Sequence, residues 1–291
     1  MFHESVIIQQ LISGLQVGIM YALMAVGFSL VFGVMDIVNF AHGAGMMAMM
    51  YVSFVLFRSV SLDPILGAPL IFALAFAVGV VVYRLVLRSI SHAGHSTTLL
   101  ATLGVAIVIE NVVLAIFGGD LQSVVTSYTS AMIPFRGAFI SVARSYAAGI
   151  ALLMFAGLYY FLHRTDFGRA IRAVADDVVG AQVVGIPMHR IYAIAFAIGL
   201  GAAGVAGAVI IPFTLISPFV GVDFLTKSFV VVVVGGVGNV PGALAGGILL
   251  GLVEAFGSLF LPGSLVNGLV FGVLLMVLLF RPAGLFGGAR G

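Results

Sequence analysis

Residues 14–43 read GLQVGIMYALMAVGFSLVFGVMDIVNFAHG, a long apolar run that ends in a cluster of polar residues and glycine. No charged residue stands between Glu4 and Asp36. A helix of that length crosses a hydrocarbon core of about 30 Å at about 1.5 Å per residue. Lipid offers the backbone no hydrogen-bond partner, so the run must pair its own N–H and C=O groups as a helix. At its end Gly33, Asp36, Asn39, His42 and Gly43 interrupt the apolar pattern.

Outward from this stretch the chain keeps the same character. Hydrophobic residues make up 62% of 291 positions and charged ones 8%, more apolar surface than a soluble globule could cover with polar groups. The sequence predicts an all-α fold, a polytopic transmembrane helical bundle with broken helices. At roughly 20 residues per crossing, 1–291 suits a single transmembrane domain of about eight to nine spans. The apolar runs are continuous and do not alternate in ten-residue segments, which disfavours a β-barrel. With no cysteine, disulfides, thiolate catalysis and cysteine metal sites are excluded. No basic segment or small-residue cleavage site precedes the first run, so that span is expected to stay in the mature protein.

Candidate spans are 6–33, 37–57, 65–87, 97–117, 146–163, 190–212, 240–261 and 264–280, and the apolar piece 225–235 is too brief to cross alone if straight. The loop 164–190 carries Arg164, Arg169, Arg172 and Arg190, the tail Arg281 and Arg290, and the 84–96 turn Arg84 and Arg88. The positive-inside rule makes all three cytoplasmic. Segments 58–64, 118–145 and 213–224 then lie outside, with Arg136 and Arg144 running against the rule. Three crossings connect 213–224 to a cytoplasmic C-terminus if 225–235 descends, 240–261 returns and 264–280 descends, which leaves the N-terminus outside.

Two places break long apolar stretches: 33–43, and 235–242 with the sequence GGVGNVPG. Gly and Pro lower helix propensity, and Asp36, Asn39, His42 and Asn239 are groups lipid does not accept. Paired broken helices mark the solute path in transporters with internal repeats, whereas a single break fits an ordinary turn near the membrane surface. Small residues recur every four positions at Gly14, Gly18 and Ala22, at Gly199, Ala203 and Gly207, and at Ala243, Gly247, Gly251 and Ala255. Such stripes let helix backbones approach closely and predict a tightly packed bundle. Glu110-Asn111 and Glu254 fall within spans, where Arg or backbone is the expected partner. Asp223 and Lys227, four apart, read as a surface pair at an outer edge.

The loop 164–190 is the most soluble-like element. Ile171, Val174, Ala175, Val178 and Ala181 follow helical spacing, with Arg169, Arg172, Asp176 and Asp177 on the other face. Asp166 can cap or charge the start, and Gly185 before Ile186-Pro187 is a stop signal. The spacing predicts one amphipathic helix of about four turns. Its mixed charge and lack of bulky aromatics suit a protein partner better than a lipid surface.

The chain resembles the Liv-type permeases, membrane subunits of bacterial ABC importers for branched-chain amino acids. The resemblance rests on GLQVGIMYALMAVG at 14–27, IVNFAHG at 37–43, GRAIRAVADD at 168–177, GAQVVGI at 180–186, GGVGNVPGALAGG at 235–247 and LFRPAGLFG at 279–287. It implies a permease of the bacterial inner membrane with a second permease subunit, two cytoplasmic ATPase subunits and a periplasmic solute-binding protein. Segment 168–186 corresponds to the cytoplasmic coupling loop and its E-A-A-x-x-x-G element. Matching Gly180 to the glycine puts Val174, Ala175 and Asp176 at the other positions, a departure from the general pattern. Arg169, Arg172, Asp176, Asp177, Gly180 and Gly185 are then the expected ATPase-coupling residues. For a solute path the breaks offer Asn39, His42, Gly43, Gly235, Gly236, Gly238 and Asn239, since helix termini and unwound carbonyls match a zwitterion without full charges. For Asn39 and His42 the competing reading is structural, bonding freed backbone groups.

Other classes leave identifiable marks. A solitary secondary transporter or channel for a small neutral solute such as urea would also use broken helices, but needs no docking helix. No G-x-S-G, G-x-G-D or H-E-x-x-H motif is present, and Gly236-Val-Gly-Asn239 carries an amide where an acid would be needed. His92 and His95 lack a third metal ligand. The GGVGNVPG run lacks the Lys-Ser/Thr of a phosphate cradle, so the chain is not expected to hydrolyse ATP. No cofactor, metal or nucleic-acid partner is implied. The identity of the solute is not written in any residue.

Overall fold

A computed structural model describes residues 4–90 and 94–287; His92 and Arg290 lie outside the described residues. The helices are α1 (Glu4–Met35), α2 (Ala41–Val60), α3 (Ala68–Ile90), α4 (His95–Phe117), α5 (Val142–Arg164), α6 (Asp166–Asp176), α7 (Val178–Val183), α8 (Met188–Ile210), α9 (Val220–Gly235), α10 (Val240–Gly257) and α11 (Gly263–Phe280). Eight of them are long and apolar enough to cross a membrane. They match the eight expected spans to within a few residues at each end. The short piece expected at 225–235 extends back to Val220, giving a 16-residue helix. At about 24 Å it is still shorter than a bilayer core.

One end of the bundle carries α6, α7 and the tail 281–287. The opposite end carries a hairpin, β1 (Met132–Phe135) and β2 (Ala138–Ser141), within the 118–145 segment. It is antiparallel, with Met132 opposite Ser141 and Phe135 opposite Ala138. Arg136 and Gly137 at its tip have φ of 48° and 78°, the two left-handed residues that a tight two-residue hairpin turn requires.

α1 and α8 form the centre, with 83% and 94% of their apolar windows buried, against 17% for α4 and α11. Their packing follows from the small-residue stripes. The α1 stripe meets the α10 stripe: a Cβ on Gly18 would sit 2.7 Å from the Gly247 carbonyl oxygen, and one on Gly14 would sit 3.0 Å from the Gly251 carbonyl. Farther along α1, Gly27 backs onto Gly199 of α8. In lipid, close backbone approach of this kind is what holds helices together.

The segment 36–40 is not helical. The His42 Nε2–H donates to the Met24 carbonyl at 3.2 Å. Met24 lies three turns before the end of α1, about 16 Å along its axis. The chain therefore runs back along α1 and begins α2 inside the bundle. Non-helical backbone at such depth survives only where protein buries it. Here Phe40 N–H donates to Thr102 Oγ1 at 3.2 Å and Ala41 N–H to Asn39 Oδ1 at 3.0 Å.

The single four-turn helix expected over the 164–190 loop is divided. Asp177 adopts an extended backbone, ends α6 and caps α7, its carboxylate accepting from Val179 N–H at 3.0 Å. An aspartate that can bond a backbone N–H two residues on offers the chain an alternative to continued helix. The start is capped by Thr165, whose hydroxyl accepts from Gly168 N–H at 3.0 Å; Asp166 stands in the first turn, charging the start as expected, and pairs with Arg169. Gly185 closes α7 with φ of 84°. There Gly185 N–H donates to Gln182 O and Ile186 N–H to Ala181 O, both at 3.0 Å, the glycine-terminated motif expected of that stop signal.

Candidate functional site

The two breaks meet. A Cβ on Gly33 would fall 2.8 Å from the Gly238 Cα, and Gly238 N–H donates to Ser29 Oγ at 3.0 Å. Asn239 caps α10 by accepting from Gly242 N–H at 2.8 Å, and its Nδ2 donates to the Phe286 carbonyl at 2.7 Å. The tail continues the arrangement: Leu285 N–H bonds the Val234 carbonyl at 2.8 Å and Phe286 N–H the Gly235 carbonyl at 3.3 Å. Gly236, with φ of 102°, lies against Gly287 where a side chain would not fit. The 235–242 turn is thus a glycine-rich crossing, capped by the Asn239 side chain and held by α1 on one side and the tail on the other.

A cavity of about 800 Å³ opens beside this crossing, lined by Ser29, Gly33, Gly238 and Asn239 together with Arg172 and Asp176 of α6. The Arg172 guanidinium donates to the Leu162 carbonyl at the end of α5. Gly168 permits the sharp α5–α6 turn, since a Cβ there would collide with the Leu162 carbonyl. Ile171, Val174 and Ala181 are buried against the bundle, as their spacing predicts. Val178, expected on the same face, is exposed, and so are Val179, Val183 and Val184. Division of the helix at Asp177 rotates these valines outward. Arg169, Asp177 and Gly185 are exposed as well, and Gly180 is half-buried.

The candidate path residues divide into two groups. Gly238 and Asn239 line the larger cavity with α6, while Gly235 packs against Gly242 and Gly236 against Gly287 beside it. Asn39 lines a second, almost wholly apolar cavity of about 490 Å³ with Met49, Val82, Val105, Phe196 and Leu200. His42 is buried beside Phe28, ring centroids 5.4 Å apart, and Gly43 backs onto Gly221 of α9. The polar atoms named for Asn39 and His42 bond backbone groups of the break.

Lys227 does not pair with Asp223. Its Nζ lies 2.7 Å from Glu254 Oε1 of α10 and donates to the Tyr21 hydroxyl of α1 at 2.6 Å. The Tyr21 hydroxyl donates in turn to Glu254 Oε2 at 2.6 Å. Glu254 therefore takes a lysine and a tyrosine rather than the arginine or backbone group expected for it. One signal could have pointed to this: Lys227 is the only lysine in the chain, and it stands beside a run of valines. Asn111 bonds the Ile107 carbonyl one turn back at 2.8 Å.

A bundle of apolar spanning helices with re-entrant backbone, polar breaks in contact and an amphipathic pair at one end defines a multi-pass membrane permease. The chain belongs to the family described as branched-chain amino acid transport system / permease component, whose profile matches residues 10–279. It is 32% identical over 293 aligned positions to the high-affinity branched-chain amino acid transport system permease protein BraD of Pseudomonas aeruginosa, covering 96% of this chain and 95% of that one. Identity to the corresponding LivH protein of Escherichia coli K12 is 30% with the same coverage. A probable branched-chain amino acid transport permease LivH of Methanocaldococcus jannaschii is 28% identical over 91% of this chain and 88% of its own. No solved structure matches the chain.

Proposed function

We propose that this chain is the membrane-spanning permease subunit of an ATP-driven importer in a bacterial inner membrane, moving branched-chain or related small neutral amino acids. The relatives' names give the solute class and the word system implies further subunits. In this reading the solute arrives on a periplasmic binding protein at the hairpin end. Two cytoplasmic ATPase subunits act at the α6 end, where residues 281–287 also lie, and a second permease subunit completes the conduit. ATP hydrolysis belongs to the ATPase subunits, not to this chain.

The observation that carries the proposal is the α6–α7 pair. It buries Ile171, Val174 and Ala181 against the bundle while exposing Val179, Val183 and Val184, at 69%, 82% and 76%. Valines so exposed beyond the spans, on a helix rimmed by Asp177 and Gln182, form a small apolar patch of the kind a protein partner covers. The inner face of α6 lines the same cavity as the 235–242 crossing. A push on the outer face is therefore passed to the polar break. Such a push changes transport only if ATP binding favours one arrangement of the break over the other.

A solitary carrier has no use for this patch, and the test separates the two readings. Uptake of radiolabelled leucine is measured in cells carrying the chain with its co-encoded subunits, with and without the ATPase subunits. Loss of uptake on their removal supports the importer; undiminished uptake would overturn it in favour of a stand-alone carrier.

A further inference from the structure

We propose that Lys227 and Glu254 form a recognition site for a zwitterionic amino acid, Lys227 taking the α-carboxylate and Glu254 the α-ammonium. The inference rests on the reading of the chain as an amino-acid permease.

The pair lies between helices of the bundle. Tyr21, which touches both residues, stands about 21 Å along α1 from its end at Met35, and Glu254 stands about 21 Å along α10 from its start at Val240. Both helix ends belong to the α6 end of the bundle, so the site lies toward the hairpin end, with Glu254 three residues before α10 ends at Gly257. Opposite charges on spanning helices are costly and are found facing the bundle interior or a water-bearing path. The side chains retain 24% and 14% exposure. They are open to something, and lipid is the one surrounding that two charged heads do not tolerate.

A structural ion pair needs only two charges. This one is held by a third group that serves both. The Tyr21 hydroxyl accepts from Lys227 and donates to Glu254, each at 2.6 Å, and its ring lies 4.7 Å from Nζ. Each charged head therefore keeps a partner when the Lys227–Glu254 contact opens. A zwitterion carries the same two charges in one small molecule. Inserted between the heads, it replaces one ion pair by two, with no change in net charge and no head left bare. A solute lacking either charge leaves one head without its counter-charge.

Lys227 is the only lysine in the chain, so selective ¹⁵N-lysine labelling gives one side-chain ammonium resonance. In the purified detergent-solubilised protein, L-leucine should shift that resonance saturably, and 4-methylpentanamide, which carries neither charge, should not. A resonance unmoved by leucine, or moved equally by the amide, overturns the proposal. In the complete transport system, the double substitution Lys227→Met/Glu254→Gln removes both charges together and leaves none unpaired. At wild-type abundance in the membrane it should cut leucine uptake at least tenfold, whereas uptake at the wild-type rate would make the pair merely structural. If the double variant fails to accumulate, the resonance measurement on the unaltered protein decides alone. Wild-type cells that take up no leucine would instead refute the proposed function, and the same titration with other zwitterionic amino acids still tests recognition.

Discussion

Gly18 of α1 and Gly247 of α10 are in backbone contact: a Cβ on Gly18 would sit 2.7 Å from both the Gly247 carbonyl oxygen and the Ile248 Cα. Neither atom can swing aside as a side chain would. Gly18→Leu should therefore force the two helices apart and cost about 1–3 kcal/mol, as overpacking of a tight core does. A lower thermal unfolding midpoint in detergent would show it. A variant as stable as wild type would mean the two stripes are not a packing seam.

Gly180 tests the outer end of the mechanism. A Cβ there falls 2.5 Å from Asp177 Oδ2, the carboxylate that caps α7. Gly180→Trp should dislodge the cap, worth about 1 kcal/mol locally, and roughen the valine patch. The spans themselves are untouched, so abundance and thermal stability should stay near wild type while leucine uptake falls and ATP hydrolysis persists. Normal uptake would count against α6–α7 as the coupling element.

Asn239 both caps α10 and holds the tail through the Phe286 carbonyl at 2.7 Å. Asn239→Ala removes both bonds, a loss of about 1–2 kcal/mol. Residues 281–287 should then exchange amide hydrogens faster, above all at Leu285 and Phe286, while exchange in α8 stays slow. Unchanged protection of the tail would refute the clasp.

Tyr51 makes the opposite prediction. Its hydroxyl is buried and makes no hydrogen bond among the described residues, while its ring packs on Phe117 at 4.7 Å. Burying an unsatisfied hydroxyl costs free energy, so Tyr51→Phe should leave stability unchanged or raise it by roughly 1 kcal/mol. A fall in the unfolding midpoint would reveal a partner for the hydroxyl.

At the hairpin end Tyr128 donates to Asp63 Oδ1 at 2.9 Å, tying the loop before the hairpin to the α2–α3 connection. Burial first, and the bond to Asp63 second, raise the phenol above its ordinary 10.0. A pKa raised by folding means that this contribution is complete below the unfolded value and is lost as pH rises through the folded one. Tyr128→Phe should cost about 1–2 kcal/mol near neutral pH, and the gap to wild type should narrow in strongly alkaline buffer. A gap that is constant with pH would exclude the phenol proton as its source.

Much of this architecture was legible beforehand, because in lipid a helix is almost the only solution a long apolar run has. The spans, a short apolar helix around 225–235 and the inward faces of Ile171, Val174 and Ala181 follow from period and length, whereas the extension of α9 back to Val220 does not. The break at Asp177 was harder to read. Valines continue the helical spacing on both sides of it, and only the local competition of a carboxylate for the Val179 N–H divides the helix. The hairpin was hidden by Pro134, Arg136 and Gly137, which read equally well as an open loop.

Local patterns along the chain suffice to establish a helical membrane protein of a particular transport family, with small-residue seams and two breaks. Each of those properties depends on residues close together along the chain. Packing of the helices settles the rest: the α1 stripe faces the α10 stripe, Gly33 touches Gly238, and Lys227 reaches Glu254 and Tyr21 in preference to Asp223. Composition places a charge in a span, but its partner depends on how α9 and α10 are rotated about their axes against α1, some two hundred residues earlier in the chain. That rotation is fixed by the closest approach of glycine backbones, a property of the packed bundle and of no single segment.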